Sequence, residues 1–449
     1  MAALVLAATI HGIVVAPRPS AAERPNILLI NLDDARFDAL QYMPKTAGWM
    51  APGVDFTNAR VAIPSCCPSR ATMFTGRYAH GNGVTRQSEA SRLDTERTLM
   101  RYLQSAGYST AMAGKFLVSW PRSTPPPGFN RHTVIWGGYY NYEARVQGVS
   151  RQVSEYSTIF LGKQLRGYLR GFKASDATPW FGYLATQAPH ISGGWKTLPV
   201  PETKYASAPV PNCAKPGEAD RSDKPTYVTW VKADPAYDQQ LCAAQIRTLM
   251  TVDDEIDLTL RQLQTDGELA NTMVIFTSDN GYFWGEHGWT AKFLPYEPAV
   301  RVPLRIRWDG HLTSRTDSRH ASVIDILPTI TETVGIIPTR APDGRSLLRS
   351  DNPRSEVFSE YFNDADNGST IPTWSSLTSS TRKYVENRVV NSSGQTTIVR
   401  EYYNLQTDGD ELVNLLKDGN PANDPSASEL AAWAQRLANA RACNGSACP

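Results

Sequence analysis

Two apolar segments of strand length, each ending in acidic residues, constrain the fold of this chain most. Residues 26–32 lead directly into Asp33 and Asp34, and residues 272–277 lead, after one serine, into Asp279. A nearly continuous apolar strand is typical of a parallel sheet that is buried on both faces. The two segments therefore predict buried strands with carboxylates at their carboxyl ends.

Helical patterns separate these apolar segments. Residues 98–106 end at Gly107, a good helix stop, and residues 237–264 place leucine, isoleucine and valine at helical spacing. A further helix is predicted at 151–172, before a strand at 180–185. Strands that alternate with helices predict an α/β fold with a doubly wound, mostly parallel sheet, in which sites form beyond the carboxyl ends of the strands.

The pattern changes in the last quarter of the chain. Residues 23–339 carry the α/β pattern, whereas the segments from 340 to 449 are shorter and more polar. Residues 383–390 and 397–404 predict a hairpin, and residues 428–441 predict a helix that closes over it. We therefore expect a large domain at 23–339 and a smaller α+β domain, with antiparallel strands, at 340–449.

Composition favours no charged partner. The chain has 449 residues and carries 45 Lys+Arg against 44 Asp+Glu, a formal net charge of +1, so no nucleic-acid partner is expected. Gly and Pro, at 31 each, exclude a collagen-like or low-complexity chain. The length is sufficient for a sizeable hydrophobic core.

The N-terminus carries a short apolar segment. Residues 2–16 are apolar apart from His11 and Gly12, and small residues follow before Glu23. This pattern predicts a signal peptide at 1–22, although the usual basic start is missing. An N-terminal core helix and an uncleaved anchor are the alternatives. No later stretch predicts stable membrane insertion, so we expect a secreted or extracytoplasmic protein.

The cysteines do not form a simple framework of three disulfides. Cys66 and Cys67 are adjacent, and neighbouring cysteines cannot easily bond each other. The other four offer two candidate disulfides in an oxidising compartment: Cys213 with Cys242, and Cys443 with Cys448. Another role therefore stays open for Cys66 or Cys67.

The segment richest in chemical information is 65–77, SCCPSRATMFTGR. If a helix begins here, Arg70 lies one turn beyond Cys66, beside free amides that favour an anion. The segment resembles the signature C-x-P-S-R-x-x-x-x-T-G of the type I sulfatases, in which the cysteine four residues before the arginine is oxidised to formylglycine, an aldehyde. That resemblance implies formylglycine at Cys66, with Arg70 in the catalytic set and Cys67 at the variable position. The alternative is a buried cysteine beside a proline-initiated helix.

The acidic strand ends are also similar to the family's metal ligands. Each group alone is typical of a turn or a cap. Together, Asp33, Asp34, Asp279 and Asn280 supply three carboxylates and an amide oxygen, the hard ligands that calcium or magnesium needs. The resemblance implies that they bind a divalent cation, usually calcium, with the formylglycine at Cys66 completing the set. Such a cation polarises the sulfate oxygens and the nucleophile.

Three cationic or proton-donating residues follow short motifs that resemble those of the family. They are Lys115 after Gly114, His190 after Pro189, and Lys292. The resemblance implies that both lysines bind sulfate and that His190 supplies a proton to the departing alcohol. His287 is close to Lys292 in sequence and is an additional candidate. Taken singly, such residues are more often solvated lysines or structural histidines.

One departure from the family concerns Leu117. Many sulfatases have a histidine two residues after the Gly-Lys lysine, so the base for sulfate release is unassigned here. The Gly-Lys-Phe-Leu sequence at 114–117 and the paired cysteines resemble the glucosamine-6-sulfatase branch. The resemblance as a whole extends from about residue 24 to 416.

The resemblance implies a sulfatase of the alkaline-phosphatase-like fold, with hydrated formylglycine as the nucleophile. Its substrate is expected to be a sulfated small molecule or glycan, such as an N-acetylglucosamine 6-sulfate. Its maturation requires a formylglycine-generating enzyme as a partner. Two alternatives stay open: a phosphoester or phosphonate monoester hydrolase of the same superfamily, and an inactive secreted carbohydrate-binding protein.

Overall fold

The computed structural model describes residues 24–174, 178–194, 196–232, 234–391 and 393–449. The signal peptide predicted at 1–22 lies outside these residues. Within the described ranges, no helix combines the length and the apolar character needed to cross a membrane.

Three β-sheets and several helices make up the described part of the chain. The strands are β1 (Asn26–Asp33), β2 (Val54–Arg60), β3 (Ser109–Gly114), β4 (Arg131–Ile135), β5 (Tyr142–Val146), β6 (Val149–Val153), β7 (Trp180–Pro189), β8 (Thr272–Ser278), β9 (Phe283–Trp284), β10 (Thr290–Ala291), β11 (Leu304–Arg307), β12 (Arg315–Ser322), β13 (Glu356–Tyr361), β14 (Thr373–Ser379), β15 (Arg382–Val390) and β16 (Thr396–Asn404). The helices are α1 (Pro44–Met50), α2 (Cys66–Thr75), α3 (Ala79–Asn82), α4 (Leu99–Ser105), α5 (Ser157–Lys173), α6 (Thr226–Thr229), α7 (Pro235–Thr265), α8 (Glu297–Val300), α9 (Ile326–Thr333) and α10 (Ala427–Arg441).

The large sheet is mostly parallel and places β1 at its centre. Among the described residues it has ten strands, in the order β12-β2-β11-β8-β1-β7-β3-β4-β5-β6. β1 pairs in parallel with both β7 and β8, so that Leu29 lies opposite Tyr183 and Ile275. β11 runs antiparallel to β2 and β8, and β5 runs antiparallel to β4 and β6. The prediction of a mostly parallel, doubly wound α/β sheet is confirmed.

Helices cover both faces of this sheet, which explains why β1 is apolar at nearly every position. Leu28 and Ile30 belong to a core shared with α1, α5 and α7. Ile27 and Leu29 belong to a second core shared with α2, α4 and α9. Because successive side chains of a strand point to opposite faces, a strand covered on both sides needs apolar residues throughout.

A smaller antiparallel sheet follows in the C-terminal part of the chain. Its order is β13-β14-β15-β16, and the pairing of β15 with β16 is the hairpin predicted from the sequence. α10 packs on this sheet through Trp433 and Leu437, which share a core with Leu377 and Tyr384. The smaller C-terminal domain with a closing helix is therefore present, while its boundary at 339/340 stays a prediction.

One predicted helix begins too early. The sequence pattern places a helix at 151–172, but residues up to Val153 belong to β6 and α5 begins only at Ser157. β5 and β6 form a hairpin whose two turn residues, Gln147 and Gly148, have φ values of 49° and 82°. Positive φ at both central positions matches the right-handed twist of paired strands, and a glycine at the second position favours it.

The structure contains two disulfides and two free cysteines in its described residues. Cys213 is joined to Cys242 of α7, so the long connection before α7 is tied to that helix. Cys443 is joined to Cys448 just after α10. These are the pairs proposed from the sequence. Cys66 and Cys67 are free and buried.

Candidate active site

The acidic pair at the end of β1 meets the acidic end of β8. The two strands are in parallel register up to Leu32 and Ser278, so their following residues emerge side by side. The Asp34 amide donates to Asp279 Oδ1 at 3.2 Å, and the Ala35 amide donates to Ser278 Oγ at 2.9 Å. Asp34 adopts a φ of 70°, which turns the chain sharply where the strand ends. The sheet topology thus gathers acids that are distant in sequence.

These carboxylates can accommodate a divalent cation. Ligand atoms of Asp33, Asp34, Cys66 and His190 all lie within 4.8 Å of one another. Asp33 Oδ1 and Asp34 Oδ2 are buried and have no hydrogen-bond partner among the described residues. Buried carboxylate oxygens normally have a partner, so these two are available to bind a cation.

The other two predicted ligands adjoin this group. Asn280 donates its side-chain amide to Asp34 Oδ1 at 2.6 Å, and Asp279 accepts from Arg70 Nε at 2.8 Å. The amide of Asn280 therefore presents nitrogen to Asp34. If the side-chain oxygen of Asn280 is to bind the cation, the amide must rotate to exchange its oxygen and nitrogen. The hydrogen bonds around an amide determine which of the two orientations it adopts.

Arg70 connects the strand ends from the interior of α2. It is fully buried, one turn after Cys66, which is the first residue of the helix. Besides Asp279, its guanidinium lies 3.5 Å from Asp33 Oδ2, and Nη1 donates to the Lys115 carbonyl at 2.5 Å. The guanidinium thus compensates two carboxylates while it anchors the end of β3.

Two buried lysines pair with the two acids at the end of β1. Lys115 follows β3 and pairs with Asp33, while Lys292 pairs with Asp34 and lies 2.7 Å from Cys66 Sγ. Burial alone would lower the pKa of each lysine, but Asp33 and Asp34 outweigh it and hold both pKa values above the ordinary one. Burial raises the pKa of Asp33, yet the surrounding cations keep it far below its usual range. Both lysines are therefore cationic, and Asp33 is ionised beside them.

His190 is the partly exposed member of the cluster. Its side chain is 22% exposed, against 5% or less for the two lysines and the acids they face. Nδ1 lies 2.7 Å from the Ile191 carbonyl, which can only accept a hydrogen bond, so Nδ1 carries a proton. Nε2 is then the atom that faces the cluster, 3.6 Å from Asp34 Oδ2. A proton on Nε2 makes the ring an imidazolium, the form that can donate to a leaving group.

The Cys66 thiol is unsuited to nucleophilic attack by itself. Burial raises its pKa to about 11, despite the opposing charges of Lys115 and Lys292. The thiol is protonated at neutral pH, and the thiolate is the reactive form of cysteine. Burial likewise raises the pKa of Cys67 to about 12.

Two other positions lie outside the cluster. His287 is buried with Nδ1 at 2.8 Å from Glu218 Oε2, and its ring stacks on Tyr296 with centroids 4.3 Å apart. No contact in the described part of the chain joins it to the acids or lysines of the site. Leu117 is buried in the core that includes α2, and no base takes its place among the described contacts.

Two residues that the sequence does not single out hold these groups in place. The Tyr139 hydroxyl donates to the His190 carbonyl at 2.6 Å, and Gln87 Oε1 accepts from the Cys67 amide at 3.0 Å. Each is an ordinary residue type in an ordinary local context. Only the folded chain brings them to the site, so no sequence pattern signals them.

Comparison with known proteins agrees with the fold and the motifs. A family model described as Sulfatase matches residues 25–336, and one described as N-sulphoglucosamine sulphohydrolase, C-terminal, matches residues 285–431. A Sulf-1 homolog of Caenorhabditis elegans is 29% identical over 72% of this chain and 48% of its own length. The chain thus spans about half of that relative. The human N-acetylglucosamine-6-sulfatase is 27% identical over 95% of this chain and 86% of its own length.

Solved structures share the fold at low sequence identity. BT4656, solved with its substrate D-glucosamine-2-N,6-O-disulfate, superposes with a TM-score of 0.77 and 21% identity, covering 92% of this chain and 97% of its own. The phosphonate monoester hydrolase of Silicibacter pomeroyi superposes with a TM-score of 0.74 and 22% identity, covering 94% and 96%.

Proposed function

The chain belongs to the sulfatase family, and we therefore propose that it hydrolyses the sulfate ester of a sulfated sugar. The observation that carries this proposal is the position of Cys66. It begins α2, 2.7 Å from the Lys292 ammonium and beside Asp33 and Asp34, where a nucleophile, a cation and an anionic group would meet. No other described cysteine lies in this cluster.

The proposal includes conversion of Cys66 to formylglycine and binding of a divalent cation, with calcium as the expected ion. The aldehyde supplies a hydroxyl nucleophile after hydration, and the cation supplies positive charge for the sulfate oxygens. The raised pKa of the Cys66 thiol supports this conversion, because an unconverted thiol is neutral at neutral pH. The residues proposed to hold the cation are Asp33, Asp34, Asp279 and Asn280, together with residue 66.

The remaining charged residues perform binding and proton transfer. Lys115 and Lys292 are held cationic by their acidic partners, so they bind the sulfate oxygens and stabilise charge that develops during reaction. Arg70 is fully enclosed and places its positive charge against Asp33 and Asp279. This charge helps to hold the pKa of Asp33 low and opposes the rise that burial causes in the pKa of Asp279. His190 is directed at the cluster through Nε2 and donates a proton to the departing alcohol.

We propose a sugar sulfated at the 6-O position of a glucosamine as the substrate. The support is the similarity to human N-acetylglucosamine-6-sulfatase and to the N-acetylglucosamine-6-O-sulfatase of Bacteroides thetaiotaomicron, which is 25% identical over 74% of this chain. The two disulfides support a secreted location, as does the similarity to the Caenorhabditis elegans Sulf-1 homolog, whose name describes it as a putative extracellular sulfatase. A formylglycine-generating enzyme is the proposed maturation partner.

The decisive experiment compares Cys66→Ala with Cys67→Ala after expression with a formylglycine-generating enzyme. Mass spectrometry of the peptide containing both cysteines is expected to show an aldehyde at position 66 and a thiol at 67. Hydrolysis of an aryl sulfate is expected to vanish in Cys66→Ala and to persist in Cys67→Ala, whose cysteine lies in α2 and is buried in the core. Equal activity in both variants would refute the proposal.

The same preparation separates sulfatase from the related activities. Aryl phosphate and phosphonate monoesters are tested beside the aryl sulfate, and N-acetylglucosamine 6-sulfate beside a glucosamine sulfated only on nitrogen. We expect the sulfate ester and the 6-O-sulfated sugar to react fastest. Faster phosphonate turnover would assign the chain to the alternative hydrolases. An unmodified thiol in protein from the native host, with no esterase activity, would favour the carbohydrate-binding alternative.

A further inference from the structure

Lys292 lies in a loop whose backbone is held in an unusual conformation. The residues on either side of it, Ala291 and Phe293, have φ values of 111° and 80°. Positive φ is unfavourable for a residue with a Cβ and persists only where the surrounding structure holds it. Two such residues flank the lysine that approaches Cys66, so the contacts that hold them also determine where its ammonium lies.

The segment before Lys292 is held by the two-stranded sheet. Thr290 pairs with Trp284, and Ala291 pairs with Phe283. The indole of Trp289 also donates to the Lys292 carbonyl at 3.3 Å. These contacts belong to the same part of the chain as the lysine, and they hold one side of the loop.

The segment after Lys292 is held by the small C-terminal sheet. Trp374, on β14, donates its indole N–H to the Phe293 carbonyl at 2.7 Å. Its own ring stacks on Tyr361 of β13, with centroids 6.2 Å apart and planes at 20°. Tyr361 in turn contacts the Phe293 ring at 5.7 Å. The two aromatic residues therefore hold Phe293 by its carbonyl and by its ring.

We propose that Trp374 is a positioning residue for Lys292, and that the small sheet thereby completes the active site. The proposal rests on the sulfatase function proposed above. Trp374 is 1% exposed, and nothing in the described contacts joins it directly to the site acids. Without its N–H, the Phe293 carbonyl loses a buried partner and the backbone can leave positive φ. The Lys292 ammonium, at the end of a flexible side chain, then moves away from residue 66 and Asp34.

The first test measures the position of the lysine without any turnover. Unconverted protein, with Cys66 still a thiol, is treated briefly with acetic anhydride, and acetylation of each lysine is measured by mass spectrometry. In the native chain Lys292 and Lys115 are both protected by burial. We expect Trp374→Phe to expose Lys292 to acetylation while Lys115 stays protected. This result does not depend on whether the protein is a sulfatase.

The second test asks whether Trp374 acts through Lys292. Trp374→Phe is expected to lower kcat/KM for an aryl sulfate about tenfold in the native background, the effect of one lost buried hydrogen bond. In a Lys292→Ala background the same change is expected to have less than about a twofold effect, because the interaction it supports is already gone. Trp433→Phe, which alters a tryptophan of α10 packed on the same small sheet, is the control.

A second variant keeps the proposal testable if Trp374→Phe folds poorly. Phe293→Gly adopts positive φ freely and removes the ring that Tyr361 contacts, so it releases the loop without backbone strain. It is expected to expose Lys292 to acetylation in the same way. Unchanged Lys292 protection in both variants, or equal activity losses in the native and Lys292→Ala backgrounds, would overturn the proposal.

Discussion

At the residue scale, the site depends on full charge compensation within a buried volume. Arg70, Asp33 and Asp279 have side chains with no exposed surface, and the guanidinium contacts both carboxylates. Removing one member of a buried ion pair leaves an uncompensated charge, which is far more costly than losing a surface pair. The stability of the fold and the ionisation of the site acids are therefore linked through one side chain.

Arg70→Met is expected to lower the free energy of unfolding by about 3–5 kcal/mol, because buried Asp279 loses its ion-pair partner and Asp33 is left with Lys115. The exposed Arg151 on β6 provides the control, and Arg151→Met is expected to change stability by less than about 0.5 kcal/mol. Urea denaturation of both variants measures the difference. Similar small losses in both would mean that Arg70 does not compensate the acids.

A second residue-scale effect concerns His320 on β12. Both ring nitrogens are buried without a hydrogen-bond partner in the described part of the chain. Burial lowers its pKa to about 4, with the charges of Arg60 and Arg354 adding to the effect and Glu297 opposing it. The unfolded chain binds a proton near pH 6.5, so it gains protons before the folded chain does as the pH falls. The stability that neutral His320 contributes is therefore fully present above pH 6.5. This contribution is lost progressively as the pH falls to about 4.

His320→Leu is expected to remove most of that acid sensitivity. In the native protein, lowering the pH from 7 to 5 is expected to cost about 2 kcal/mol through His320 alone. Urea denaturation at both values, in the native chain, in His320→Leu and in the exposed-site control His311→Leu, measures this contribution. A native-like pH dependence in His320→Leu would contradict the assignment.

At the element scale, the two disulfides join segments at very different separations along the chain. The Cys213–Cys242 disulfide closes a loop of 29 residues between the connection after β7 and α7, whereas Cys443–Cys448 closes a loop of only 5. A disulfide restricts the unfolded chain more when the loop it closes is longer. The two disulfides should therefore differ in their effect on stability.

Removal of Cys213–Cys242 by a double alanine variant is expected to cost about 3–4 kcal/mol, against about 2 kcal/mol for removal of Cys443–Cys448. Thermal or urea unfolding of the two double variants, under conditions that keep the remaining disulfide oxidised, provides the comparison. The reverse order would show that native-state packing around Cys448, and not loop length, dominates.

At the scale of the whole molecule, a bound cation would link the site to global stability. Asp33 and Asp34 each have a buried oxygen without a described partner, so a cation that binds only the folded chain stabilises it. Calcium at about 100 times its dissociation constant is expected to add about 2.7 kcal/mol to the free energy of unfolding, and a chelator to remove it. Melting curves with calcium, with magnesium and with chelator measure this effect. Asp34→Asn is expected to abolish it, and an equal response in that variant would place the cation elsewhere.

The sequence predicted the features that depend on local pattern. The apolar segments before Asp33 and Asp279 indicated buried strands, and the hairpin and closing helix of the small domain followed from alternation and helical spacing. The predicted start of α5 was wrong because the turn at Gln147 and Gly148 places the following residues in strand β6, although their sequence pattern suggested a helix. No sequence pattern indicates the role proposed for Trp374, because its hydrogen bond to Phe293 joins residues 81 positions apart. Such contacts depend on how the two sheets meet.

The burial of Cys66 also limits the order of events in biosynthesis. Its side chain is 2% exposed in the finished fold, and Lys292, which covers it, is synthesised 226 residues later. Under the proposed conversion of Cys66 to formylglycine, the modifying enzyme would have to reach the thiol while the chain is still open, before β8 and the loop of Lys292 have taken their places. Rapid folding would then compete with that conversion, so the fraction of converted molecules would depend on the rate of folding as well as on the sequence itself.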